Sequence, residues 1–168
     1  MKKIEEYFEL VYPDRRNKLI AYHNQFISEF NRAKGSESKH QAWEGGYRIH
    51  LEQCLTIAEH LYELNFGFTF DSVILVLYFH DIEKMFKYGT LRHIISDKSK
   101  YYEGLKYFKI IFSEEELNAL KYIHGEGDDY CNERKMNELA AFCHSCDIIS
   151  ARCYHSIKNI EKRYYLDK

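Results

Sequence analysis

The chain is poor in the features that divide a protein into parts or carry it into a membrane. It has one proline in 168 residues, at position 13. With no proline-rich linker, internal repeat or low-complexity tract, nothing marks a second domain, and the expectation is a single domain over residues 1–168. No run of 18 apolar residues occurs, which excludes a membrane-spanning helix of ordinary length. The opening Met1-Lys2-Lys3-Ile4-Glu5-Glu6 is too charged for the hydrophobic part of a secretory signal. A cytoplasmic protein is expected. An excess of positive charge is also missing: 24 basic against 26 acidic residues leave a net charge of −2. That excludes a general electrostatic coat for nucleic acid, so any polymer binding has to be local. Cysteines number five, at 54, 131, 143, 146 and 153. The odd count and the lack of a second ligand pair near Cys143-His144-Ser145-Cys146 argue against a disulfide framework or a structural zinc site, leaving reduced thiols as small core residues.

What is abundant is apolar and aromatic substance, 45% and 16% of the residues, enough for one substantial core. Its spacing predicts helices nearly throughout: about 14–33, 47–64, 71–87, 98–111, 113–124, 135–154 and 156–165, an all-α bundle of about six to eight helices. Gly35-Ser36-Glu37-Ser38 ends the first of these. Ser113-Glu114-Glu115-Glu116 reads as a capping box. The run Val73–Phe79 is short enough to be a buried strand instead.

Chemistry concentrates at the end of that run, in the doublet His80-Asp81. An imidazole beside a carboxylate suits a divalent metal, since the pair supplies both affinity and charge neutralisation. Between Tyr47 and Tyr62 the apolar residues form one stripe at about 100° per residue, with His50 at its edge and Glu52, Glu59 and Glu63 opposite. On the segment 135–154, Asp147 falls within the inward face, roughly 20° from Met136. A carboxylate facing a core is expensive unless a partner or cation balances it. A metal shared by His50, His80, Asp81 and Asp147 would do so, and His124 and His144 are further candidate ligands. Lys84, three residues after Asp81, projects from nearly the same helical face, and Arg48 and Arg152 flank His50 and Asp147, either as candidate substrate contacts or as structural partners of carboxylates. Between Lys87 and Lys109, lysines and one arginine interleave with Tyr101, Tyr102, Tyr107 and Phe108, a pattern that could stack bases or simply form a solvated helix face.

The order His50, His80-Asp81, Asp147 resembles the signature of the HD-domain metal-dependent phosphohydrolases, an all-helical superfamily. Trp43-Glu44-Gly45-Gly46-Tyr47-Arg48-Ile49-His50 is similar to the glycine-glycine element before the first metal histidine in a branch that includes HD domains of certain 3′-to-5′ exoribonucleases. His80-Asp81-Ile82-Glu83-Lys84 resembles that branch's HDxxK form, with Glu83 where glycine is usual. Ile123-His124-Gly125-Glu126 resembles its histidine-glycine-glutamate segment, with one histidine where two are usual, and His144-Ser145-Cys146-Asp147 matches its HxxD motif. The likeness spans about 40–155.

The resemblance implies hydrolysis at phosphorus by hydroxide from a metal-bound water, with Asp81, Lys84 and Glu83 as the catalytic candidates and Lys84 toward the substrate phosphate, beside the flanking candidates Arg48 and Arg152. Two imidazoles and two carboxylates suit Mn²⁺, Fe²⁺, Co²⁺, Ni²⁺ or Zn²⁺ better than Mg²⁺. One ion is expected, with a second left open. A small (deoxy)nucleotide is the favoured substrate. A 3′-5′ nuclease or phosphodiesterase and a catalytically silent nucleotide-binding module are the alternatives. The deoxynucleotidase branch carries HDxxE where this chain has Lys84. Nucleic acid and self-association stay open as partners; a membrane is not expected.

Overall fold

The apolar run that could have been a strand is a helix in the computed structural model, which describes residues 1–64, 66–88 and 105–154. Thr69 caps it by accepting the Ser72 N–H, and every residue from Asp71 to Phe79 is buried. A helix apolar on all sides belongs in the middle of a protein, and the others surround it. In chain order they are α1 (Ile4–Phe8), α2 (Pro13–Gln25), α3 (Ile27–Arg32), α4 (Gly46–Tyr62), α5 (Phe70–Phe79), α6 (Glu83–Lys87), α7 (Glu114–Tyr122) and α8 (Glu138–Cys153), with a 3₁₀ turn at Gly127–Asp129. The fold is all-α, with no strand among the described residues. Helix α5 packs on α4, α7 and α8, and the long pair α4 and α8 lie against each other. No helix among the described residues is long and apolar enough to cross a membrane.

Several boundaries differ from the periodic pattern. The helix expected over 14–33 is two, because at Phe26 the backbone leaves helical geometry (φ −114°, ψ 16°) and its N–H is shared between the Tyr22 and His23 carbonyls. The break lets Phe26 meet Phe86, with ring centroids 5.3 Å apart. The helix expected over 71–87 is also two, parted at His80–Ile82 for a reason that belongs to the site. Asn137 caps α8 by accepting the Ala140 N–H, so that helix begins at Glu138. The Ser113 capping box is present in full. Of the helix expected over 98–111, a single turn at 105–107 is described. It ends with Lys109 at φ 55° and the Ile110 N–H on the Leu105 carbonyl, a Schellman-type stop. The helix expected over 156–165 and most of the basic, tyrosine-rich stretch lie outside the described residues.

Helix α1 has no counterpart in the sequence reading, and it corrects the place of Glu52. This carboxylate belongs to the supposed solvent face of α4 but is fully buried. It accepts from the Ile4 N–H and from Arg48 Nε at 3.0 Å, because α1 lies across that face.

A second buried charge cluster ties three helices. Arg15 of α2 pairs with Asp71 of α5 at 2.6 Å and with Glu116 of α7 at 2.7 Å, and Ser72 donates to Glu116. Burial would raise the Glu116 carboxyl, but the Arg15 guanidinium, the Ser72 hydroxyl and the Ser113 N–H outweigh it and hold it below its ordinary value of 4.5. A carboxylate depressed on folding stabilises the protein above the unfolded value and loses that contribution as pH falls through the folded one. Glu116→Ala should therefore cost about 1 to 3 kcal/mol in denaturant unfolding, the usual loss of hydrogen bonds to a buried charged group, since Arg15 keeps Asp71. Glu116→Gln should give a shallower loss of melting temperature than wild type as pH drops below 4.5.

Candidate metal centre

Each candidate ligand sits at a position that local structure explains. Helix α4 opens on Gly45, held at φ 77°, a left-handed conformation that glycine adopts at little cost. Its neighbour Gly46 cannot carry a side chain, since a Cβ there would lie 1.8 Å from the Gln41 carbonyl oxygen. One turn later His50 points inward, fully buried. His80 closes α5 as its C-cap. Its ring Nδ1–H donates to the Leu77 carbonyl at 2.7 Å, one of the acceptors left over at a helix end. From there the backbone tightens to i→i−3 bonds, Ile82 to Phe79 and Lys84 to Asp81, before α6 begins at Glu83. The doublet therefore lies in a turn between helices. Asp147 is buried within α8, and His124 follows the end of α7, where Gly125 at φ 103° turns the chain away.

These residues converge. His50 Nε2 is 3.1 Å from Asp147 Oδ1 and 3.9 Å from Asp81 Oδ2. His80 Nε2 is 3.2 Å from Asp81 Oδ2 and 3.7 Å from Asp147 Oδ1. His124 Nε2 reaches Asp81 Oδ1 at 3.4 Å and Asp147 Oδ2 at 3.9 Å, although its side chain is 53% exposed. Three sets of donor atoms lie within 4.8 Å of one another: His50, His80 and Asp81; His80, His124 and Asp147; and His50, Cys54 and Asp147. Any of these sets could hold a metal ion.

The donor chemistry fits a divalent cation. His80 Nδ1 is committed as a donor to a carbonyl, so in the neutral ring Nε2 carries a lone pair. That atom is buried and has no hydrogen-bond partner among the described residues, while two carboxylates face it. Lone pair against carboxylate is repulsive unless positive charge lies between them. With the protein's own groups alone the charge must be a proton: burial would lower the His80 pKa, but Asp81 and Asp147 together raise it to about 10. Burial likewise acts to raise the Asp147 carboxyl, but the imidazoles of His50 and His80 hold it far below the usual carboxylate range. A cation on the two carboxylates would take the place of that proton.

The open side of the cluster is basic. Lys84 lies with its ammonium against Asp81 Oδ2 and 3.3 Å from His40 Nε2. Burial and the neighbouring Lys84 push His40 down to about 4, so the neutral ring accepts a hydrogen bond from the ammonium. A cleft of about 480 Å³ opens here, lined by Lys39, His40, Asp147, Ile148, Ala151 and Arg152.

Other candidates are placed elsewhere. Arg48 is engaged by Glu5 at 2.6 Å, by Glu52 at 3.0 Å and by Asn31, the structural partnership open to an arginine beside carboxylates. His144 donates Nδ1–H to the Ile123 carbonyl, and neither it nor Glu83 belongs to the donor groups above. Arg152 is exposed on the rim of the cleft. Sequence reasoning missed His40, Gln41, Gln53 and Ser150. The last two stand three residues after His50 and Asp147, the spacing that shares a helix face. For His40 and Gln41, in an irregular loop, no periodic signal exists.

No protein-family model, curated protein or solved structure significantly matches the chain.

A ligand bound only by the folded state stabilises it by about 2.7 kcal/mol at a hundred times its Kd. Chelation of the purified protein should therefore lower the melting temperature, and restoring Mn²⁺, Co²⁺ or Zn²⁺ should recover it. Elemental analysis should give less bound metal for His50→Ala and Asp81→Ala than for wild type; equal stoichiometry in all three would dismiss these ligands.

Proposed function

We propose that the chain is a divalent-metal-dependent phosphohydrolase of the HD-domain kind, acting on a small (deoxy)nucleotide. The observation that carries this reading is the meeting of His50, His80, Asp81 and Asp147, in the order of that family's signature, around a buried imidazole nitrogen with no hydrogen-bond partner among the described residues. A divalent ion held there supplies a Lewis acid that acidifies water and polarises a phosphoryl oxygen. Two imidazoles and two carboxylates favour Mn²⁺, Fe²⁺, Co²⁺, Ni²⁺ or Zn²⁺ over Mg²⁺. We assign one ion, with His124 as a further ligand on its open side.

The chain's own residues divide the remaining work. His50, His80, Asp81 and Asp147 form the closed side of the centre. Lys84, steadied between Asp81 and His40, presents a fixed cation where charge would build on phosphoryl oxygens. Lys39 and Arg152 line the cleft beside Asp147 and suit the phosphate of an incoming nucleotide. At about 480 Å³ the cleft falls within the roughly 300–1,000 Å³ of small-ligand sites, which supports a single nucleotide over a long strand.

Preorganised charges of this kind contribute about 10² to 10³ in rate. Lys84→Ala should lose turnover by that factor and retain its metal, measured as kcat together with metal stoichiometry. The reading itself is tested by comparing kcat/KM for nucleoside mono-, di- and triphosphates with that for single-stranded oligomers, each with several divalent ions. Faster cleavage of nucleotides is expected. Shortening of oligomers without nucleotide hydrolysis would favour the nuclease alternative, and metal-loaded protein inert to both would favour the binding module.

A further inference from the structure

Behind His50, on the side away from the carboxylates, three polar side chains lie buried together. Ser150 Oγ of α8 is 2.9 Å from His50 Nδ1 and 2.9 Å from Gln53 Oε1. Gln53 Oε1 is in turn 2.7 Å from Gln41 Nε2. Gln41, Gln53, Ser150 and His50 are all fully buried, so none can turn to water for a different partner.

The far end of this group fixes how the two amides are turned. Besides Gln53, Gln41 Nε2 faces the backbone carbonyls of Ser150 at 3.3 Å and of Tyr154 at 3.4 Å. Carbonyl oxygens only accept, so the amide atom facing them must be the NH₂ group. That orientation persists although Gln41 Oε1 finds no partner among the described residues. Gln53 must then offer its oxygen to Gln41, and that oxygen, 2.9 Å from Ser150 Oγ, is a nearer acceptor for the hydroxyl than the His50 carbonyl at 3.4 Å. The third atom that could take the proton is His50 Nδ1 itself, also at 2.9 Å. Gln53 Oε1 can only accept whereas Nδ1 can also donate, so the arrangement that serves both gives the Ser150 proton to Gln53 and leaves Ser150 Oγ lone pairs for the Gln41 amide at 3.4 Å and for a proton on His50 Nδ1.

We infer that Gln41, Gln53 and Ser150 form a hydrogen-bond relay of fixed polarity that holds His50 in its Nδ1–H tautomer, presenting Nε2 as a bare lone pair toward Asp81, Asp147 and a metal ion. The inference rests on reading the centre as a metal site. The three are positioning residues: they touch neither metal nor substrate and act through His50. Without the relay, the neutral ring would gain by moving its proton to Nε2, where Asp147 Oδ1 waits at 3.1 Å, and that bond would close the ligand position.

The same relay gives the glycine pair its task. Gln41 sits at φ 41°, a conformation uncommon for a residue with a side chain. Its carbonyl accepts from the Gly35 and Trp43 N–H groups and fills the space that a Cβ on Gly46 would need. A loop wound this tightly delivers the Gln41 amide into the interior between α4 and α8. Gly46 is the place where that loop and α4 touch.

The test reads tautomer and metal separately. In ¹⁵N-labelled, metal-stripped protein near pH 8, above the usual imidazole range of about 6.5, long-range ¹H–¹⁵N spectra distinguish Nδ1–H from Nε2–H, with His50→Gln to assign the signals. Wild type should show Nδ1–H at His50. Ser150→Ala and the nearly isosteric Gln41→Met should shift His50 toward Nε2–H, while Ser150→Thr, which keeps the hydroxyl, should resemble wild type. Zn²⁺ affinity, from competition with a chromophoric chelator, should fall about 10- to 100-fold in the first two variants, the usual effect of losing a group behind a ligand. Should Ser150→Ala fail to fold, Gln41→Met carries the comparison. An Nε2–H ring in wild type would overturn the relay, as would weaker Zn²⁺ binding with no change of tautomer, or no change in either quantity. Wild-type protein that binds no Zn²⁺ would overturn the metal reading, and the tautomer comparison in stripped protein would still decide the relay.

Discussion

Two carboxylates, Asp81 and Asp147, are buried where α4, α5 and α8 meet, and the rest of the centre follows from that burden. Desolvating an unpaired carboxylate costs several kcal/mol, a large share of the stability of a domain this size. The fold therefore brings positive or polarisable groups to them from every side: imidazoles of α4 and of the end of α5, a third imidazole from beyond α7, and the Lys84 ammonium from α6. Even the path of the backbone answers to this demand. Had α5 run on unbroken, the Leu77 carbonyl would have been taken by the backbone in ordinary i→i−4 fashion. Ending the helix at Phe79 leaves that carbonyl to the His80 ring, which turns Nε2 toward the carboxylates.

How far this was legible in the sequence depends on how local the cause is. Helices α4 and α7 could be read closely, because an apolar stripe and a capping box are properties of neighbouring residues. The inward place of Asp147 followed from periodicity for the same reason. The breaks at Phe26 and His80 could not be read, since a carbonyl taken by a ring or an aromatic contact with Phe86 leaves no trace in the spacing of apolar residues. Glu52 shows the converse. Its position on α4 was read as a solvent face, but the five-residue helix α1 covers it, and so short an element has almost no periodic signal. One of the two acids that pair with Arg48, Glu5, belongs to the same short helix.

The residues behind the ligands occupy a middle ground. Ser150 and Gln53 stand at the right spacing to share a face with Asp147 and His50, so a search for polar residues three positions from each candidate ligand would have found both. Gln41 and His40 are beyond such a search. They come from the loop between Gly35 and Gly46, and what places them is a steric fact, the approach of the Gln41 carbonyl to a residue without a Cβ. The glycine pair was recognisable as a motif, but the reason for it became visible only with the partner that fills the space.

The centre is consequently stiff on one side and loose on the other. His50 and His80 are fixed from behind, one by Ser150 and one by the Leu77 carbonyl, and both rings are enclosed in the core. On the opposite side His124 is half exposed, His40 and Lys84 are only partly buried, and the cleft opens to solvent. Rigid donors suit holding an ion, because little side-chain freedom remains to be lost when it binds. Long or exposed side chains suit groups that must exchange partners. Lys84 is the pivot between the two sides: it neutralises Asp81 when nothing else does, and a cation bound by the two carboxylates would weaken that hold. Its ammonium, held between Asp81 and His40, is the charge at the boundary of the two sides.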